Sequence, residues 1–140
     1  MRDNPVLRVV GKIIVPAIFL FALYVQFHGD YGPGGGFQAG VIFAAGIILY
    51  GIIFGVGTLR NVLPSSLTRL LLTIGVLLYS GVGIAGILSG GNYLDYNLLG
   101  ESEVQGQIIG IFLVELGVGI TVSSVMILIY YSFNKFEDNK

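Results

Sequence analysis

Residues 28–40 read His28-Gly29-Asp30-Tyr31-Gly32-Pro33-Gly34-Gly35-Gly36-Phe37-Gln38-Ala39-Gly40 and separate two long apolar runs. Proline brings no amide donor, and a run of three glycines gives up the most backbone entropy when ordered, so no helix passes through here. The stretch therefore reads as a junction between two helices. His28, the chain's one histidine, and Asp30 stand at the end of the first run; Gln38 falls in the first turn of the second.

Outward from the junction the chain divides into four apolar segments, at about 9–27, 37–56, 70–88 and 108–131, read as one membrane domain over residues 1–140. The second, rising about 1.5 Å per residue, spans roughly 30 Å, the thickness of a hydrocarbon core. Lys12 and Pro16 fall in the opening turns of the first segment, where lysine can snorkel and a missing donor is tolerated. That segment has a basic start and an apolar body. Tyr24-Val25-Gln26-Phe27-His28 nevertheless stands where a small-residue cleavage site belongs, so it reads as retained.

Composition agrees with this class. Apolar residues make up 54% of the 140, charged residues 11%, and the mean hydropathy is +0.86; a soluble domain carries about 25% charge. The fold class is therefore all-α, an integral membrane protein of four transmembrane helices. The absence of cysteine removes thiolate metal sites and thiol nucleophiles, and a net charge of −1 without a basic cluster argues against nucleic acid. With one histidine and no paired carboxylates on a helix face, no catalytic site, metal site or cofactor is expected.

All seven basic residues (Arg2, Arg8, Lys12, Arg60, Arg69, Lys135 and Lys140) fall in the N-terminal region, the loop between segments two and three, or the C-terminal tail. The other two loops hold Asp30, Asp95, Glu101 and Glu103. The positive-inside rule places both termini in the cytoplasm and the junction, with the 89–104 loop, on the opposite side. Pro64-Ser65-Ser66 marks the entry to the third helix, and Ser89-Gly90-Gly91-Asn92 its end. Ser102 with Gln105 resembles a capping box for the fourth.

Glycine is abundant, at 22 residues, and Gly36/Gly40, Gly51/Gly55, Gly86/Gly90 and Gly106/Gly110 are each spaced by four. In lipid, helices associate through such small residues, so these are expected to be helix-packing faces. Gly81-Val82-Gly83-Ile84-Ala85-Gly86 matches a dinucleotide fingerprint by letter, but it lies inside an apolar helix and reads as packing. Glu115 is the sharpest polar signal: a lone carboxylate about 12 Å into an apolar helix, counted from Gln107. An acid at that depth faces protein or water rather than lipid. It is either an ion-handling group, with His28 and Asp30 as an entrance, or a protonated carboxyl bonded to Ser80, Thr73 or Tyr79.

His28-Gly29-Asp30, Pro33-Gly34-Gly35-Gly36-Phe37 and Gly40-Val41 together resemble the signature of the B subunit of Mrp-type cation/proton antiporters. The equivalent MnhB-type subunit of membrane-bound hydrogenase complexes is similar. Glu115-Leu116-Gly117-Val118 fits the family's acid-x-Gly-Val pattern in the last helix, with glutamate where aspartate is frequent. The resemblance implies a small non-catalytic subunit of a multi-subunit Na+/H+ antiporter module in a prokaryotic inner membrane, either stand-alone or within an ion-translocating hydrogenase-type complex. Its partners would be other membrane subunits, with Na+ and H+ as the ions. A purely structural assembly subunit and a stand-alone small carrier or channel are the two alternatives.

Overall fold

The computed structural model describes residues 4–29 and 34–137. Asp30 and Pro33 of the junction, with Tyr31 and Gly32 between them, lie outside the described residues, as do Arg2 and Lys140. Five helices follow one another: α1 (Pro5–His28), α2 (Gly36–Phe54), α3 (Val56–Val62), α4 (Ser65–Leu88) and α5 (Glu103–Glu137). A 3-10 turn at Tyr96–Leu98 lies between α4 and α5. Four of these helices (α1, α2, α4 and α5) are long and apolar enough to cross a membrane.

The first helix starts earlier than the hydropathy suggests. Asn4 caps it, its side-chain oxygen accepting from the amides of Val6 (3.0 Å) and Leu7 (3.4 Å), and Pro5 takes the first helical position. Pro16 consequently sits inside the helix rather than in its opening turn, a placement that helices in lipid tolerate. The second helix ends at Phe54, two residues short of the apolar run, and α3 follows it. The third begins at Ser65, where the Pro64 carbonyl accepts from the Thr68 amide (3.0 Å) and hydroxyl (3.1 Å). The fourth is much longer than 108–131, because polar residues at both ends continue it. Ser102 starts it, its hydroxyl accepting from the Gln105 amide at 3.3 Å.

The long α5 is central. It packs against α2 on one side and α4 on another, while α1 packs chiefly on α2. Close approaches fix the register. Gly40 lies against Gly119, and Gly51 against Tyr130, so α2 runs parallel to α5. Gly75 meets Gly117 and Thr121, and α4 continues from there toward the start of α5. A cluster of Ala44, Leu59, Ile127 and Tyr131 holds the end where the termini lie. There the Tyr131 hydroxyl donates to the Leu63 carbonyl (2.7 Å) and the Arg60 guanidinium to the Tyr131 carbonyl (3.3 Å).

The glycine spacings divide differently from expectation. Gly36/Gly40 is a helix-on-helix pair, and Gly51 meets Tyr130 of α5 while Gly55 stands at the break between α2 and α3. Gly86 faces Asn92 and Asp95, and Gly106 and Gly110 face Tyr96, so these positions admit the 89–102 loop rather than another helix. Gly83 faces the Tyr93 ring, and Gly81 has open space around it. At the end of α4, Gly91 donates to Gly86 and Gly90 to Ile87, and Gly90 holds φ +92°. This is the reversal that glycine permits just past a helix end.

A carboxylate at the α1–α2 junction

The two ends of α1 and α2 meet at the level of Glu115. The Gly35 amide donates to the Val25 carbonyl at 3.2 Å, which folds the chain back onto the last turn of α1. Gly34 passes so close that a Cβ there would stand 2.8 Å from the same carbonyl. Gly35 then takes φ +119°, a conformation side-chain-bearing residues rarely adopt, and caps α2. A Cβ on Gly36 would run into the Glu115 main-chain carbonyl. Gly34 and Gly36 are therefore a steric requirement, backbone against backbone, and Gly35 a conformational one.

Into this junction α5 directs the Glu115 side chain. Its Oε1 lies 3.3 Å from the Cβ position of Gly29 and 3.0 Å from that of Gly35. The Gln38 Oε1 lies 3.7 Å from the same Gly35 position. The carboxylate thus sits at the N-terminal end of α2, where the first amides have no acceptor within the helix and the helix dipole is positive. That end favours negative charge, offsetting part of the desolvation cost that a carboxylate meets at depth. The face of α5 that meets α4 carries Gly117 and Thr121, and Thr73 of α4 donates to the Arg69 carbonyl of its own helix at 3.0 Å.

The site is recessed. Glu115 is twelve residues into α5, about 18 Å from its first residue. The 89–102 loop covers that outer stretch of α5 through Gly106 and Gly110. Gly34–Gly36, expected on the same side as the 89–104 loop, share that end of the molecule but lie more than a turn of α5 beyond the stretch the loop covers. Irregular backbone at such depth is tolerated only where protein or a water-lined cavity surrounds it.

Of the sequence candidates, Glu115, Gly34, Gly35, Gly36 and Gln38 come together here. His28 is next to Gly29 and stacks on Tyr24 with ring centroids 4.9 Å apart. Phe37 is 60% exposed and turned outward, while Gly40 lies one turn on, against Gly119. Among the described residues no group of three or more His, Cys, Asp or Glu is placed to hold a metal. Gln26 was missed. It is buried at 9% exposure, and its Oε1 stands 3.0 Å from the Cβ position of Gly119, one turn from Glu115. The signal was an amide inside an apolar run, two residues before His28.

Comparison with known proteins decides the family. A family model described as "Domain related to MnhB subunit of Na+/H+ antiporter" matches residues 6–128. The chain belongs to the MnhB family. A protein of Staphylococcus haemolyticus, provisionally named antiporter subunit mnhB2, is 34% identical over 137 residues, covering 92% of this chain and 94% of the relative. A namesake from Staphylococcus aureus strain Newman is 35% identical over 138 residues, covering 96% and 97%. The MnhB match spans both the glycine junction and Glu115.

Proposed function

We propose that this MnhB-type subunit of a multi-subunit Na+/H+ antiporter places Glu115 on or beside an ion path. The observation that carries this reading is the meeting of the Glu115 carboxylate with the α1–α2 junction at Gly29 and Gly35, at membrane depth and at the positive end of α2. A helix break beside an acid inside the membrane is how a membrane protein gives an ion polar surroundings without exposing backbone to lipid. Na+ and H+ are the ions of the proposal, and other membrane subunits supply the rest of the path. His28 and Asp30, flanking Gly29 in sequence, form its entrance.

The distribution of charge supports the orientation. Arg8, Lys12, Arg60, Arg69 and Lys135 all lie at or near the helix ends grouped with the termini. In a prokaryotic plasma membrane this places the termini in the cytoplasm and the junction toward the opposite side.

Glu115→Gln in the assembled complex is the test. Exchange measured in vesicles at several pH values is expected to fall about tenfold or more, a barrier change of about 1.4 kcal/mol. Recovery of the complex is expected to stay unchanged. Undiminished exchange at every pH removes Glu115 from the path and leaves the subunit a purely structural part. Affinity purification of the tagged native chain identifies the assembly: antiporter subunits alone, or hydrogenase subunits among them.

A further inference from the structure

We propose that the groove bounded by α1, α2 and α3 holds one acyl chain of an anionic phospholipid, with the lipid phosphate at Arg8 and Lys12. The groove has a volume of about 410 Å³ and is lined by Val15 and Phe19 of α1, Phe43, Ile47 and Tyr50 of α2, and Val62 of α3 among others. Its place follows from two stripes. Arg8, Lys12, Val15 and Phe19 recur at helical spacing and share one face of α1. Phe54, Tyr50, Ile47 and Phe43 repeat that spacing backwards along α2. Gly11 meets Ile53 and Phe54, and Gly46 meets Ile18 and Phe19, so the helices are antiparallel and the stripes lie side by side. The short α3, which turns off at Gly55 with φ +99°, supplies the third wall.

The groove is apolar within and basic at one end. The Arg8 guanidinium carbon stands 5.8 Å from the Phe54 ring centre, which draws the charge toward α2, and Lys12 follows one turn further in. Both side chains are exposed, and residues four apart on a helix are neighbours that one phosphate can bridge. Glu137 apart, the carboxylates of the helices and of the 89–102 loop (Asp95, Glu101, Glu103 and Glu115) stand toward the other end of the molecule. At the inner end of the groove Phe19 stacks on Phe43 with ring centroids 4.7 Å apart. From Lys12 to that stack is about 10 Å along α1, less than half of a hydrocarbon core about 30 Å thick. That length selects the occupant. A partner's spanning helix needs a groove through the whole thickness, whereas a chain from one leaflet enters at the basic end and stops at the rings. Basic pockets between helices recognise anionic headgroups. The site lies at the other end of α2 from Glu115 and does not rest on the role given to that residue.

The probe is phosphatidylglycerol carrying a photoactivatable diazirine midway along one acyl chain, added to the purified assembled complex in mild detergent. After illumination, adducts on this subunit are located by mass spectrometry of its peptides. They are expected at the groove residues, and unlabelled phosphatidylglycerol is expected to displace them at concentrations where phosphatidylcholine with the same chains does not. Arg8→Gln combined with Lys12→Gln is expected to cut the labelling about tenfold or more, since each basic residue near the membrane surface adds to the attraction for anionic lipid. Arg69→Gln, on α4, is expected to leave it unchanged. Where the double variant lowers recovery of the complex, Lys12→Gln alone serves, with a smaller fall expected. Val62→Trp, at a position 69% exposed, fills the groove while keeping both charges and is expected to reduce the labelling as well. No adduct in the groove of an intact complex overturns the proposal, a partner subunit's side chains then occupying the space. Equal displacement by phosphatidylcholine, with labelling unchanged in the charge variants, overturns it too and leaves only nonspecific lipid contact.

Discussion

Gly36 shows what a single hydrogen atom does here. Its missing side chain lets α2 lie directly on the Glu115 backbone, and an added Cβ would overlap the Glu115 carbonyl. Main chain cannot swing aside as a side-chain tip can, so Gly36→Ala forces the two helices apart. Overpacking of this kind costs about 1–3 kcal/mol. We expect a clear drop in the thermal midpoint of the purified complex and weaker exchange, since Glu115 shifts with its helix. Gly81 is the matched control: a Cβ there meets nothing within 4 Å, and alanine is the better helix former. Gly81→Ala is expected to leave the midpoint unchanged or raised. An equal loss in both variants would mean that helix-borne glycines act here through something other than close approach.

Among the elements, α3 and its contacts form a second fixed point, remote from the carboxylate. Tyr131 reaches from α5 to the Leu63 carbonyl, Arg60 returns to the Tyr131 carbonyl, and the guanidinium carbon stands 5.4 Å from the Tyr131 ring centre. Tyr131→Phe keeps the ring and strands the Leu63 carbonyl, a loss of about 1–3 kcal/mol where that carbonyl is buried. The expected outcome is a lowered thermal midpoint with sodium/proton exchange per assembled complex unchanged, because the junction lies at the far end of α2. Loss of exchange at full assembly would show that the two ends are coupled. These elements also mark where sequence reading reached its limit. Four spanning helices and the break at Gly34–Gly36 were legible, since hydropathy and glycine act locally. The short α3 was not, because Thr58, Arg60 and Asn61 read as polar loop. Nor was the long α5, whose polar ends Glu103–Gln107 and Ser132–Glu137 carry no hydropathy signal. The pairing of Glu115 with Gly35 joins residues eighty apart in the chain, and no periodicity encodes it.

At the scale of the molecule, the helices are staggered along α5 rather than aligned. Gly36 begins α2 beside Glu115, whereas α4, crossing at Gly75, runs on for thirteen residues, about 20 Å, toward the start of α5. One pair of helices therefore ends well short of the other at the junction end, and Glu115 occupies the step between them. The described basic residues lie toward the opposite end. Arg8 lies 5.8 Å from the Phe54 ring centre and Arg60 beside Tyr131, both at the end of α2 that leads into α3. The proposed orientation is open to test by labelling at three depths. With a membrane-impermeant thiol reagent applied to sealed right-side-out cells, Ser102→Cys at the start of α5 is expected to react from outside. Gly57→Cys on α3, where a side chain meets open space, is expected to react only after the membrane is opened. Gln38→Cys, exposed on α2 but near the step, is expected to be labelled from outside more slowly than Ser102→Cys, as a recessed position reached through water. Labelling of Gly57→Cys from outside would invert the topology and move the Glu115 step to the cytoplasmic half. Equal rates for Gln38→Cys and Ser102→Cys would place the junction at the membrane surface, where an ionised Glu115 needs neither the end of α2 nor a path to account for it.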